Sequence, residues 1–116
     1  MLCSLSGNKI GPKGGVAIGE ALAVNKVLTS LDVGFNVLTE EAALGIVRVE
    51  RQRNKLTSLG LAGCSIGQTG TAEIAEYVSG SEVLNNIDPR YNDLGDEGKG
   101  VIRDAVSGRE GFRLKM

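Results

Sequence analysis

Several groups in this chain are of types that could do chemistry, and their spacing decides what they do. Asp88, Asn92, Asp96 and Glu97 bring oxygen ligands into one segment. They lack the alternating D-x-D-x-D-G order with which a calcium loop surrounds its ion, so no metal site is expected. Gly7-Asn8-Lys9-Ile10-Gly11-Pro12-Lys13-Gly14 has the glycines of a phosphate loop. It lacks the four-residue gap before Gly-Lys and the Ser/Thr after the lysine that would hold a phosphate and its magnesium ion, so no nucleotide cofactor is expected. Histidine is absent, which removes the commonest general base, metal ligand and pH switch. With no nucleophile–base pair, no catalytic residue is assigned and the chain is not expected to be an enzyme.

What remains is the chemistry of binding. Aromatic residues make up only 3% of the chain and tryptophan is absent, so each aromatic on a surface is informative. Phe35 and Tyr91, with Arg90, are of the types that anchor protein interfaces. Asp32 and Asp88 are of the type that steers a partner. Lysine and arginine number 13 against 14 acidic residues, so no overall field points to nucleic acid or to an anionic membrane. Arg48, Arg51, Arg53 and Lys55 form a local basic run, read as a solvated helix end whose cations complement the helix dipole.

A repeat must position these residues. Leu28-Thr29-Ser30-Leu31-Asp32-Val33-Gly34-Phe35-Asn36-Val37-Leu38 returns as Leu56-Thr57-Ser58-Leu59-Gly60-Leu61-Ala62-Gly63-Cys64-Ser65-Ile66. It returns again as Leu84-Asn85-Asn86-Ile87-Asp88-Pro89-Arg90-Tyr91-Asn92-Asp93-Leu94, and a shorter copy opens the chain at Cys3. Asn8, Asn36, Cys64 and Asn92 fall in register: 36−8, 64−36 and 92−64 are each 28. Phe35 and Tyr91 therefore share a column, just before this residue. They are either interface anchors or covers for the loop beneath them.

Each copy begins with apolar–polar alternation, the mark of a short strand with one buried face. The Asn column follows, and a buried carboxamide there can bond loop backbone above and below it, forming a structural ladder of Asn8, Asn36, Cys64 and Asn92. A helix follows each loop, over Pro12–Val24, 40–52, 68–79 and 96–107, with inward apolar residues at helical spacing such as Ile18, Ala21 and Leu22. Gly80 and Gly108 are read as the left-handed residues after two of these helices. The chain divides into one domain, 1–116, of about four repeats (1–27, 28–55, 56–83, 84–111) and a terminal strand, 112–116, slipped by about one residue. Pro89 occupies an inward strand column and lacks an N–H, so a distorted fourth strand is expected. Gly60, Ala62 and Gly63 make the middle of the polar face small, predicting a shallow saddle.

The frame L-x-x-L-x-L-x-x-[NC]-x-L-G-x-x-G, best seen in LTSLGLAGCSIGQTG at 56–70, resembles the leucine-rich repeats of the ribonuclease-inhibitor type. Such repeats also occur in NOD-like receptors, Ran GTPase-activating protein and tropomodulin. The resemblance covers nearly the whole chain; the second unit departs by lacking both glycines and the fourth by carrying Pro89. It implies an α/β fold, a right-handed solenoid or horseshoe segment with parallel strands on the concave face and helices on the convex face. It also implies a non-enzymatic protein–protein interaction module presenting a rigid concave surface, on which Asp32, Phe35, Asp88, Arg90 and Tyr91 are the candidate partner-binding residues. The alternative is a regulator of a GTPase, acting through the same surface with Arg90 approaching the partner's active site. The partner is expected to be another protein, not nucleic acid or membrane. The absence of an obvious polar cap at either end leaves three readings open: part of a longer array, pairing end to end with itself or another chain, or closure by the small end units. Cys3 and Cys64 are read as reduced core thiols, and with no secretory leader in view a cytoplasmic location is expected.

Overall fold

The computed structural model of the chain describes residues 2–36 and 38–115. Strands and helices alternate: β1 (Leu2–Ser4), α1 (Pro12–Val24), β2 (Ser30–Asp32), α2 (Glu40–Arg53), β3 (Ser58–Gly60), α3 (Gln68–Gly80), β4 (Asn86–Asp88), α4 (Gly95–Val106) and β5 (Arg113–Leu114). The strands form one parallel sheet in the order β1-β2-β3-β4-β5. Its register is set by the repeat, with Cys3 opposite Leu31, Leu31 opposite Leu59 and Leu59 opposite Ile87. The last pairing puts Arg113 opposite Asn86. That offset is 113−86 = 27 rather than 28, the expected one-residue slip. The terminal strand expected over 112–116 narrows to Arg113–Leu114, and Met116 lies outside the described residues.

Sequence chemistry explains the element ends. Pro12 opens α1 at a position whose N–H would have no partner inside the helix. Thr39 caps α2 through its Oγ1, which accepts from the Ala42 N–H at 3.2 Å, and Glu40 and Glu41 follow in the first turn, where the dipole favours acids. The second unit thus replaces the glycine found here in its neighbours with a side-chain cap. Asn54 ends α2 in the left-handed conformation, φ 50°. Gly80 does not play this part. It remains the last residue of α3, and the extended Ser81 ends that helix. Gly108, two residues beyond α4, does take a left-handed φ of +83°.

The core lies between sheet and helices. Leu31, Leu59 and Ile87 are buried beneath the strands, and Leu22, Ile46, Ile74 and Ile102 meet them from the helices. Burying each such side chain contributes about 1.5–3 kcal/mol before chain entropy is counted. Ile18 is only half-buried, and Ala21 is exposed rather than inward, because β1 and α1 form the first layer. Pro89 does not distort β4, which keeps full register with β3. The preceding members of its column, Leu5, Val33 and Leu61, donate their N–H groups to Asp32, Gly60 and Asp88 of the following unit. Proline's missing N–H falls where the neighbouring strand is already ending, so its ring is simply buried.

Candidate protein-binding face

The column Gly7, Phe35, Gly63, Tyr91 is left-handed throughout, at φ +72°, +58°, +60° and +60°. The bend comes from the repeat itself: the Gly7, Phe35 and Gly63 N–H groups donate to the carbonyls of Gly34, Ala62 and Arg90 one unit on. Glycine adopts this backbone freely. A bulky aromatic does so at a cost of about 1–3 kcal/mol unless its surroundings enforce it. Both aromatics are nevertheless exposed, Phe35 by 51% and Tyr91 by 72%. Their ring centroids are 5.6 Å apart at 48°.

Gly63 lies under this pair. A Cβ on it would sit 2.7 Å from the Phe35 ring. Similarly, a Cβ on Gly60 would sit 2.5 Å from the Asp32 carboxylate. Side chains of the second unit therefore lean over the glycines of the third. The expected shallow saddle is in fact bridged, with Phe35 crossing the small unit to meet Tyr91. Asp88 and Arg90 stand beside this bridge as a two-bond ion pair, Nε to Oδ1 at 2.9 Å and Nη2 to Oδ2 at 3.0 Å. The pairing holds the Arg90 pKa above its ordinary value, chiefly through the hydrogen bonds that Arg90 donates to Asp88. Arg90 also lies 5.7 Å from the Tyr91 ring centroid. Thus Phe35, Tyr91, Arg90 and Asp88 form one strip, and Asp32 stands over Gly60 on the same face.

The ladder beneath is built as the repeat predicts at Asn36 and Asn92. The Asn36 Oδ1 accepts from the N–H groups of Asn8 and Ile10, and its Nδ2 donates to Leu5, Val33 and Gly34 carbonyls. Asn92 repeats the arrangement with Cys64 and Ile66 as donors and Leu61, Pro89 and Arg90 as acceptors. Cys64 fits the same dry slot, its thiol 3.7 Å from the Val33 carbonyl and 3.6 Å from that of Ala62. Asn8 is exposed, and its side chain donates to the Leu5 and Ser6 carbonyls of its own loop.

A family model described as leucine-rich repeat matches residues 4–19 and 24–47. The chain carries leucine-rich repeats, and their frame is similar to the ribonuclease-inhibitor type. The chain is 31% identical over 90 residues to human NACHT, LRR and PYD domains-containing protein 13, covering 77% of this chain and 9% of that one. It is 30% identical over 90 residues to mouse NACHT, LRR and PYD domains-containing protein 4E, with the same coverage. The chain thus spans about a tenth of the length of these relatives. Among solved structures it superposes on leiomodin-1 actin-binding site 2 with a TM-score of 0.83 at 17% identity, over 98% of this chain and 68% of that one. It superposes on the tropomodulin C-terminal domain of Caenorhabditis elegans with a TM-score of 0.73, also at 17% identity, over 89% and 62%.

Within this leucine-rich-repeat frame the structure reveals a second set of ties that the sequence did not disclose. Glu50 is fully buried and paired at 2.9 Å with Arg53, whose side chain is almost buried. Its other oxygen accepts from the Lys55 and Leu56 N–H groups. Arg53 reaches back to the carbonyls of Asn25 and Leu28, so the pair ties together the helix-to-strand turns of two repeats. Arg109, 56 positions on, does the same with Val78 and Leu84 carbonyls. Arg53 thus corrects the reading of the basic run as solvated: burial and two carbonyl acceptors claim it. Arg48 and Arg51 do lie at the surface, bridging α2 to Glu73 and Glu76 of α3. The signal was present in the spacing of Arg53 and Arg109, but arginine is ordinarily a surface residue.

The described residues contain no grouping of acids and thiols able to hold a metal ion. Both cysteines are free thiols, and burial pushes the Cys64 thiol up to about 12. No described helix is long and apolar enough to cross a membrane.

Proposed function

We propose that this leucine-rich-repeat protein is a non-enzymatic interaction module that binds another protein through the concave strip of Asp32, Phe35, Asp88, Arg90 and Tyr91. One observation carries the reading. Two exposed aromatic rings occupy a left-handed column whose other members are glycine. The fold alone favours glycine there, so the rings are maintained against the backbone's preference. Their contact with each other and with Arg90 supplies a pre-ordered surface, which lowers the entropy lost on binding.

The GTPase-regulator alternative finds less support. Its candidate guanidinium, Arg90, is already engaged in two hydrogen bonds to Asp88. The leiomodin-1 neighbour is titled an actin-binding site, which makes a protein partner a natural class for this fold without naming the partner here.

The test compares the chain with Phe35→Gly/Tyr91→Gly as baits, both first shown to be folded. Proteins held by the first and lost by the second support the reading. Equal capture by both would move binding off the strip and overturn it.

A further inference from the structure

The concave face is polarised along the sheet, and this specifies the chemistry of what it binds. Arg113 of β5 pairs in register with Asn86, and Leu114 with Ile87. Since Leu114 points toward the core and Arg113 and Lys115 are exposed, the two cations stand on the concave side, Lys115 next to Asp88 in register. At the other side Asp32 projects from β2 over Gly60. Among the described residues Asp32, Arg113 and Lys115 stand outside every ion pair. Asp32 does accept the Gly34 N–H at 3.0 Å through one oxygen. Between these ends Asp88 and Arg90 neutralise each other. Three positions further along, in the loop column beside this line, lies the Phe35–Tyr91 bridge, aromatic and without net charge.

We infer that the strip takes a linear protein segment laid across the strands, with a basic side chain over Asp32, an apolar or aromatic side chain on the rings, and an acidic side chain over Arg113 and Lys115. This deepens the reading above and rests on it. The span fits. Neighbouring strands lie about 4.8 Å apart, and the Asp32 carboxylate lies over Gly60 of β3, so from it to β5 is about 10 Å, the reach of about three extended residues. Surface charge pairs contribute little each, so the rings set affinity and the two poles set orientation and sequence preference.

The probe is a phage-displayed library of random linear dodecapeptides, selected on the intact chain and counter-selected on Phe35→Gly/Tyr91→Gly. The inference predicts ring-dependent peptides with a basic residue and an acidic residue about three positions apart beside an aliphatic or aromatic one. Asp32→Asn, and separately Arg113→Gln with Lys115→Gln, should each weaken a selected peptide about two- to fivefold at low salt. Both effects should shrink in high salt. Ring-dependent peptides with no such charge pattern, or affinities indifferent to these variants, would overturn the polarity and leave the aromatic site standing. A library yielding no ring-dependent peptide would contradict the proposed binding site itself.

Discussion

At the scale of single residues, the concave face combines strained and relaxed positions that serve different ends. Asn36 is buried and engages five backbone groups. Leaving buried groups unpaired costs about 1–3 kcal/mol each, so Asn36→Ala should lower the unfolding free energy in urea by about 3 kcal/mol. Cys64→Ala, which removes two long sulfur contacts, should cost about 1 kcal/mol. The Cys64 thiol also sets an alkaline limit. Its folded pKa is raised from 9.0 to about 12 by burial, so the folded chain holds this proton where the unfolded chain releases it. That contribution is complete below about pH 9 and is lost as pH rises toward 12. Burial also raises the Tyr77 hydroxyl above its ordinary value, in the same direction. The measured Tm should fall over this range, and Cys64→Ala should fall less steeply.

The ladder positions were legible in the sequence because a strict period exposes every column. The left-handed column was not: Gly7 and Gly63 hinted at it, but Phe35 and Tyr91 are residues that sequence propensity places elsewhere. The buried Glu50–Arg53 pair was hidden for a similar reason, since its types are normally solvated and nothing local marks them as inward.

At the scale of elements, each repeat is completed by its neighbour. The Glu40 carboxylate at the start of α2 accepts the Gly67 N–H at the start of α3, at 2.6 Å. It leaves no room for a side chain at Gly70, whose added Cβ would meet it at 2.8 Å. Glu40→Ala should thus act as the loss of a helix cap, about 1 kcal/mol by thermal or urea unfolding. Gly70→Ala should displace the carboxylate and destabilise as well. Breaking the Glu50–Arg53 tie is costlier, because one charge would stay buried without its partner: Glu50→Ala should cost about 3–5 kcal/mol in the same measurement. Element order and most helix ends followed from apolar periodicity and turn chemistry. The expectations for Pro89 and Gly80 failed because both depend on neighbouring units. Proline is harmless only where the adjoining strand ends, and the end of α3 is fixed by Ser81, whose hydroxyl bonds Asn54 and the Leu84 N–H.

At the scale of the whole molecule, the ladder and turn ties hold a parallel sheet in fixed register, and that register places one aromatic bridge on its concave side. The account stands on the claim that Phe35 and Tyr91 serve binding rather than folding. Urea unfolding of Phe35→Gly/Tyr91→Gly beside the intact chain tests this without knowledge of the partner. Relief of the left-handed strain opposes the lost ring contact, worth about 0.5–1.5 kcal/mol beyond area, and the added chain entropy of glycine, about 0.5–1 kcal/mol at each site. The account predicts a stability within about 1 kcal/mol of the intact chain. A loss of about 3 kcal/mol or more, the scale of removing a core aromatic, would show that the rings hold the fold together and would contradict it.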